Sequence, residues 1–338
     1  MKKKKLISYA LSLILCTSAA AQAPSPEAFN LSSNSFANFG KKYGMVLINN
    51  MPYVKLTVGK ADGLFVLDFG SNISSIDTNN FDCGVKPIGT VDPQKTKLTV
   101  DNFDFYGAGF YFWFRPSLAN LSGMKQAGLL GTDAFMANVY TLNYAGQAIY
   151  QSYKANFPDD NFLKAAGFKP ASTAKHYSNS FANLEDPQTT FNIPTVPVKI
   201  GTVQALAQVD PGFNDGDFYH SININEALYQ ALVKANIPLN KMTEQVNPIS
   251  SCGGNEPVVG YQLGKGYTFS VTCTDGSSVL VTPDVFLFVK HAPADVLKAC
   301  GGVGAWSVPG AQFGASFLKQ TKVIVFDPFS SLVWFYTK

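Results

Sequence analysis

The chain has 338 residues, 46% hydrophobic and only 14% charged, with 26 basic against 23 acidic side chains and a formal charge of +3. That is enough apolar material for one large or two medium domains with real cores, and 27 Phe with 15 Tyr at low charge point to β-rich globular structure rather than disorder. Four of the basic residues, Lys2 to Lys5, sit at the extreme N-terminus; the remainder is 22 basic against 23 acidic, Arg115 is the single arginine, and no basic cluster is left to follow a phosphate backbone, so a nucleic-acid partner has little support.

Residues 1–21 read as an export signal, with a cationic start at Lys2 to Lys5, an apolar run from Leu6 to Cys16 and a small-residue cleavage site at Ala19-Ala20-Ala21. The expected location is therefore periplasmic or secreted, and no later apolar run is long enough to serve as a membrane anchor. Cys83, Cys252, Cys273 and Cys300 follow the signal, and an oxidising compartment permits disulfides among them, with the pairing open.

After a Ser/Asn-rich leader at 22–43, short apolar segments separated by turn residues begin: Gly44 to Asn49, Tyr53 to Val58 and Leu64 to Leu67. An aromatic strand pattern covers Lys97 to Phe114. Ala127 to Gly131, Asp133 to Ala137 and a hairpin pattern from Val139 to Tyr150 complete a first unit at 44–151. Periodicity weakens over 152–190, which reads as a connector with a short helix near Asn161 to Ala166. The second unit, 191–338, contains an amphipathic helix from Asn225 to Ala235 with Ala227, Leu228, Ala231 and Leu232 on one face.

The two units repeat one another. Val54 to Gly59 parallels Val196 to Gly201, and each leads through a turn to a strand that ends in aspartate, one residue and glycine: Asp68-Phe69-Gly70-Ser71 and Asp210-Pro211-Gly212-Phe213. A lone Asp-x-Gly is a common turn. Two copies in matching strand contexts place two carboxylates across a pseudo-twofold axis. Each unit also carries a later segment ending in glycine, Leu129-Leu130-Gly131 and Gln312-Phe313-Gly314, and the hexapeptide Ser-Asn-Ser-Phe-Ala-Asn occurs at 33–38 and again at 178–183.

This arrangement resembles the aspartic peptidases of the pepsin and retropepsin type, over roughly Gly44 to Tyr150 and Val196 to Tyr336. The resemblance implies an all-β, bilobal pepsin-like fold of two pseudo-twofold-related barrel lobes with a central cleft. It implies Asp68 and Asp210 as the catalytic pair at the cleft floor, supported by Gly70, Ser71 and Gly212. Two carboxylates at contact distance share one proton, so one acts as base toward water and the other as acid toward the peptide carbonyl. The family's Thr or Ser between Asp and Gly is replaced by Phe69 and Pro211, which carry no hydroxyl. Tyr106-Gly107-Ala108-Gly109 resembles the Tyr-Gly-x-Gly flap tip, and reads equally as a bulged core strand; the other candidate flap is Gly89 to Lys97.

The implied activity is an exported endopeptidase, monomeric, with a polypeptide substrate and neither cofactor nor metal. The alternative is an inactive relative that holds a peptide ligand or a glycan in the cleft, or a structural module whose aspartates cap loops. Asp68-Phe69-Gly70 lacks the other kinase motifs, Gly260 to Gly266 is one spacer short of a P-loop, and His176, His220 and His291 have no partner at ligand spacing.

Overall fold

The computed structural model describes residues 29, 31–86, 96–115, 125–173, 193–213, 218–243, 249–251, 254–256, 258–290, 303 and 306–338. The architecture is all-β and bilobal. Nearly all described regular structure is strand, in a 12-stranded, a 9-stranded and a 2-stranded sheet, with a few short helices.

Each lobe is built around the same four-strand motif. In the first, the aspartate strand Ala61–Leu67 runs parallel to Gly128–Leu130, which pairs antiparallel with Ser75–Asp77, which in turn runs parallel to Ala108–Arg115. In the second, Val203–Asp210 runs parallel to Gly310–Gly314, that strand pairs antiparallel with Ser221–Ile224, and Ser221–Ile224 runs parallel to Phe286–Lys290. The register repeats as well. Leu67 faces Leu130 and Val209 faces Phe313, each one residue before the aspartate and before the glycine of its motif.

The lobes are joined by six antiparallel strands in the order Lys169–Ser172, Leu332–Tyr336, Val323–Asp327, Val139–Asn143, Ala148–Ser152 and Lys41–Ile48. Two differences from the sequence reading follow. The connector supplies an edge strand, Lys169–Ser172, so it is part of this joining sheet. The leader is structural too: Phe29, Phe36 and Phe39 pack with Phe157, Leu163, Phe168 and Trp334 on one face of the sheet, Phe36 stacking on Tyr150 at 5.0 Å. The second copy of the Ser-Asn-Ser-Phe-Ala-Asn repeat, at 178–183, lies outside the described residues.

Local signals account for both longer helices. Asp159 accepts from the Phe162 N–H at the start of Asp160–Ala166, and Gly167 closes that helix in the left-handed region at φ 99°. Asn225 accepts from the Leu228 N–H and caps Glu226–Lys234, whose Leu228 and Leu232 are fully buried. The segment Asp133 to Ala137 starts in a short 3₁₀ turn, Thr132–Ala134, because the Ala134 and Phe135 N–H groups bond back to the Gly131 and Thr132 carbonyls. Lys97 to Phe114 divides into two strands, Thr96–Phe103 and Ala108–Arg115, with a bulge between Val100 and Phe103.

Cys83 and Cys273 are buried free thiols, and Cys252 and Cys300 lie outside the described residues. The disulfide expectation therefore gains nothing at these two positions; burial pushes both thiols above the ordinary cysteine range. No helix among the described residues is long and apolar enough to cross a membrane.

The leader's contribution is measurable. Phe39 is fully buried between Phe36, Phe157 and Phe168, so Phe39→Ala is expected to lower unfolding free energy by about 3–5 kcal/mol, read from urea midpoints.

Candidate functional site: a buried pair of aspartates

The two aspartate strands end side by side at the junction of the lobes. The carboxyls of Asp68 and Asp210 lie close enough to perturb one another's protonation. Asp210 is only 3% exposed, whereas Asp68 is partly open to the surface. The loops around them repeat bond for bond. Ser71 N–H donates to the Asp68 carbonyl at 3.2 Å and Phe213 N–H to the Asp210 carbonyl at 3.1 Å; Thr132 N–H donates to the Ser71 carbonyl at 2.9 Å and Ala315 N–H to the Phe213 carbonyl at 3.2 Å.

Glycine is required where the loops touch. A Cβ on Gly70 would overlap Asp210 Oδ2 and sit 2.8 Å from its Cγ; one on Gly212 would sit 2.8 Å from the Asp68 Cα. Each glycine thus admits the opposite lobe's aspartate. The same approach brings donors to the carboxyls. Gly212 N–H reaches Asp210 Oδ1 at 2.9 Å, while Gly70 and Ser71 N–H groups serve Asp68 and Gly70 also serves Asp210.

Ser71 supports the pair differently from expectation. Its backbone N–H faces the Asp68 carboxyl, but its hydroxyl donates to the Ile73 carbonyl at 2.8 Å. The residue that sequence reasoning missed is Gln312. Its Nε2 donates to Asp210 Oδ2 at 2.9 Å, and its Oε1 accepts from Asn223 Nδ2 at 3.3 Å on the adjacent strand. Gln312 stands where the first lobe has apolar Leu129, and this polar exception in the strand Gly310–Gly314 was the available signal.

Phe69 replaces a hydroxyl with packing. Its ring is fully buried and stacks on Phe135 at 4.5 Å and on Phe326 at 4.1 Å, the latter from the joining strand Val323–Asp327. Each stacked pair is worth roughly 0.5–1.5 kcal/mol beyond area burial, against about 0.5–1.5 kcal/mol for one lost hydrogen bond, so packing offsets the missing hydroxyl. Pro211 is buried beside Asp210 and offers neither hydroxyl nor N–H.

Both carboxyls are held above the ordinary aspartate range. Burial is the main cause for each; proximity to Asp68 adds to it at Asp210, and N–H donors oppose it at both. Asp68 is raised to about 6. Tyr144, from the turn between Val139–Asn143 and Ala148–Ser152, is also buried near Asp210, and its hydroxyl is pushed far up by burial and by that carboxyl.

The Tyr106-Gly107 segment lies elsewhere. It forms the turn between Thr96–Phe103 and Ala108–Arg115, its ring stacks on Phe103 at 5.8 Å, and its hydroxyl donates to the Asp133 and Ala134 carbonyls. Tyr106 and Gly107 border a surface groove with Asn38, Lys41 and Gln151. The structure does not bring them to the aspartates, because the hairpin that carries them packs its aromatic face into the lobe's core. Residues 87–95, most of the other candidate flap, lie outside the described residues. His220 is half-buried, its Nδ1 3.1 Å from Ser316 Oγ, and among the described residues no group of three or more His, Cys, Asp or Glu is placed to hold a metal.

No family model and no curated protein matches the sequence. Among solved structures, basic 7S globulin from soybean matches at 11% identity and a TM-score of 0.45, covering 88% of this chain and 97% of that one. The fold assignment rests on the strand pairing described above.

The raised carboxyls fix the sign of a stability effect. An aspartate whose folded value exceeds its unfolded one stabilises the fold while protonated, and that contribution is lost as pH rises from about 4 through about 6. Unfolding free energy is therefore expected to fall across this window. Asp210→Asn should flatten the slope. Gln312→Leu, which removes a donor to the ionised form, should move the loss to higher pH; a pH series of urea melts reads all three.

Proposed function

We propose that the chain is an exported aspartic endopeptidase that cleaves extended polypeptide at the junction of its lobes. The observation that carries this reading is the close approach of the Asp68 and Asp210 turns, each at the end of an equivalent strand and each with a carboxyl raised above its ordinary pKa. Two carboxylic groups so close cannot both ionise readily, and the pair holds one proton over a broad range of pH.

In that singly protonated state the chemistry balances without another group. The ionised carboxylate takes a proton from a water molecule as its oxygen attacks the peptide carbonyl carbon. The protonated carboxyl donates its proton to the carbonyl oxygen, giving a neutral tetrahedral diol. The dyad then gives its proton to the amide nitrogen, the C–N bond breaks as the diol collapses to a carboxylic acid, and the proton lost from a diol hydroxyl returns to a carboxylate, restoring the starting charge. Gly70, Ser71, Gly212 and Gln312 donate to the carboxyls and fix their plane, which matters because about 1 Å of displacement costs on the order of 10²-fold in rate.

The absence of hydroxyls at Phe69 and Pro211 favours one rival, a binding protein on the same scaffold that holds a peptide in the cleft without turnover. The two part cleanly in one experiment. Purified protein is incubated with reduced, unfolded substrate between pH 3 and 7, with peptides read by mass spectrometry. The enzyme reading expects a bell-shaped, acid-centred profile, inhibition by a statine peptide, and a loss of roughly 10²–10⁴-fold in Asp68→Asn and Asp210→Asn. A folded protein that binds the statine peptide and releases no products at any pH supports the rival.

A further inference from the structure

The groove beside Tyr106 has no use in this scheme. It lies on the flank of the first lobe, between the leader, the turn after Thr96–Phe103 and the connector that follows Ala148–Ser152, and its volume is about 580 Å³. That is the size of a small-ligand site. Neither aspartate of the dyad lines it, and nor do Gly70, Ser71, Gly212 or Gln312. Its frame is rigid. Gln151 Nε2 donates to the Phe105 carbonyl and to the Tyr140 hydroxyl, both at 2.8 Å, while its Oε1 accepts from the Tyr43 hydroxyl at 3.0 Å. One side chain thereby fastens the joining sheet to the hairpin turn and sets the width of the groove.

The groove also carries an aromatic ring held out in water. Tyr153 is 71% exposed, more than any other large hydrophobic side chain among the described residues. The backbone beneath it is nevertheless fixed. The Tyr153 carbonyl accepts from Ser152 Oγ at 3.1 Å and from the Asn156 N–H at 3.0 Å, and the next residue, Lys154, is ion-paired with the fully buried carboxylate of Asp327 on the joining sheet. A ring anchored in this way meets a ligand without first ordering a loop, which removes one cost of binding.

The chemistry around the ring selects among ligands. The side-chain amides of Asn38 and Asn156 and the Tyr153 hydroxyl hold no bond to a described residue, and Asp104 uses Oδ2 for the Thr57 N–H at 3.0 Å, which leaves Oδ1. An amide both donates and accepts, whereas a carboxylate accepts only, so together they suit groups that do both, as hydroxyls do. The one cation of the lining, Lys41, sits 4.7 Å from the centre of the Tyr43 ring and offsets Asp104, so neither an anion nor a cation finds a net field. Phe105 and Tyr106 turn their rings onto Phe103 in the lobe core, which leaves amides, hydroxyls and the face of Tyr153 to meet a ligand.

A sugar matches that set, with hydroxyls around its edge, a C–H face for an aromatic ring and no charge. We propose that this groove is a binding site for a neutral oligosaccharide, with one sugar face on Tyr153 and sugar hydroxyls paired to Asn38, Asn156 and Asp104. The site is separate from the dyad and does not depend on the peptidase reading.

The test titrates the protein with cellohexaose, maltohexaose, xylohexaose and chitohexaose, and with an uncharged Gly-Ser hexapeptide, read by saturation-transfer NMR and calorimetry. At least one saccharide is expected to bind with a Kd of about 1 mM or tighter, and more tightly than the peptide. Tyr153→Ala should weaken that binding roughly 3- to 10-fold, Tyr153→Phe should keep most of it, and Asn156→Ala should lose part. These side chains are exposed, so an unchanged urea midpoint in each variant separates lost binding from lost fold. Silence from all four saccharides, binding that Tyr153→Ala leaves unaltered, or a peptide that binds as tightly as the best saccharide overturns the assignment. Asp68→Asn should bind the saccharide as the unaltered chain does, so saccharide binding and hydrolysis stand or fall separately.

Discussion

The structure depends on placing two carboxyl groups in contact, out of water, at the junction of two lobes. Alone, either aspartate would face a desolvation cost of several kcal/mol if charged and buried. A shared proton would remove one charge, with N–H groups of Gly70, Ser71 and Gly212 facing the other. Those donors arrive only because the backbones approach so closely, and they do so only with glycine at 70 and 212. The strand pairing, the loop bonds and the joining sheet hold the two Asp-x-Gly turns at this separation.

Without the hydroxyls of the resembling family, the chain holds the site by unlike means in its two halves. On the first side Phe69 anchors the loop through its stack with Phe135 and Phe326, which ties the aspartate turn to the joining sheet. On the second side Gln312 steadies the Asp210 carboxyl directly and is itself held by Asn223. The pseudo-twofold axis relates the backbones closely, while these supporting side chains break it. That asymmetry gives the two carboxyls different surroundings, Asp68 partly open and Asp210 buried and bonded by Gln312.

Much of this frame was legible from residues alone, for definite reasons. The aspartates and glycines stood out because a close approach leaves no alternative to glycine, and a repeated constraint leaves a repeated motif. The capped helix Glu226–Lys234 was legible from Asn225 and the spacing of Leu228 and Leu232, which are local signals. The joining sheet was not. Its strands Lys41–Ile48, Lys169–Ser172 and Leu332–Tyr336 meet through pairings distant in sequence, and nothing in a Ser/Asn-rich leader announces that Phe36 and Phe39 complete the core beneath it. Phe69 read as a loss because the missing hydroxyl is visible in sequence and the gained stack is not. Tyr106 left flap and bulged core strand both open, because its short motif carries no information about which face of the hairpin it occupies.

The central claim, that Asp68 and Asp210 share a proton as one coupled unit, is tested most directly by ¹³C carboxyl NMR of aspartate-labelled protein through a pH titration. The account predicts that these two carboxyl resonances titrate together in separated steps, the second well above the ordinary value of about 3.9, and that Asp210→Asn collapses the pair to a single step at Asp68. Two independent transitions near the ordinary aspartate value, unchanged in that variant, would contradict it.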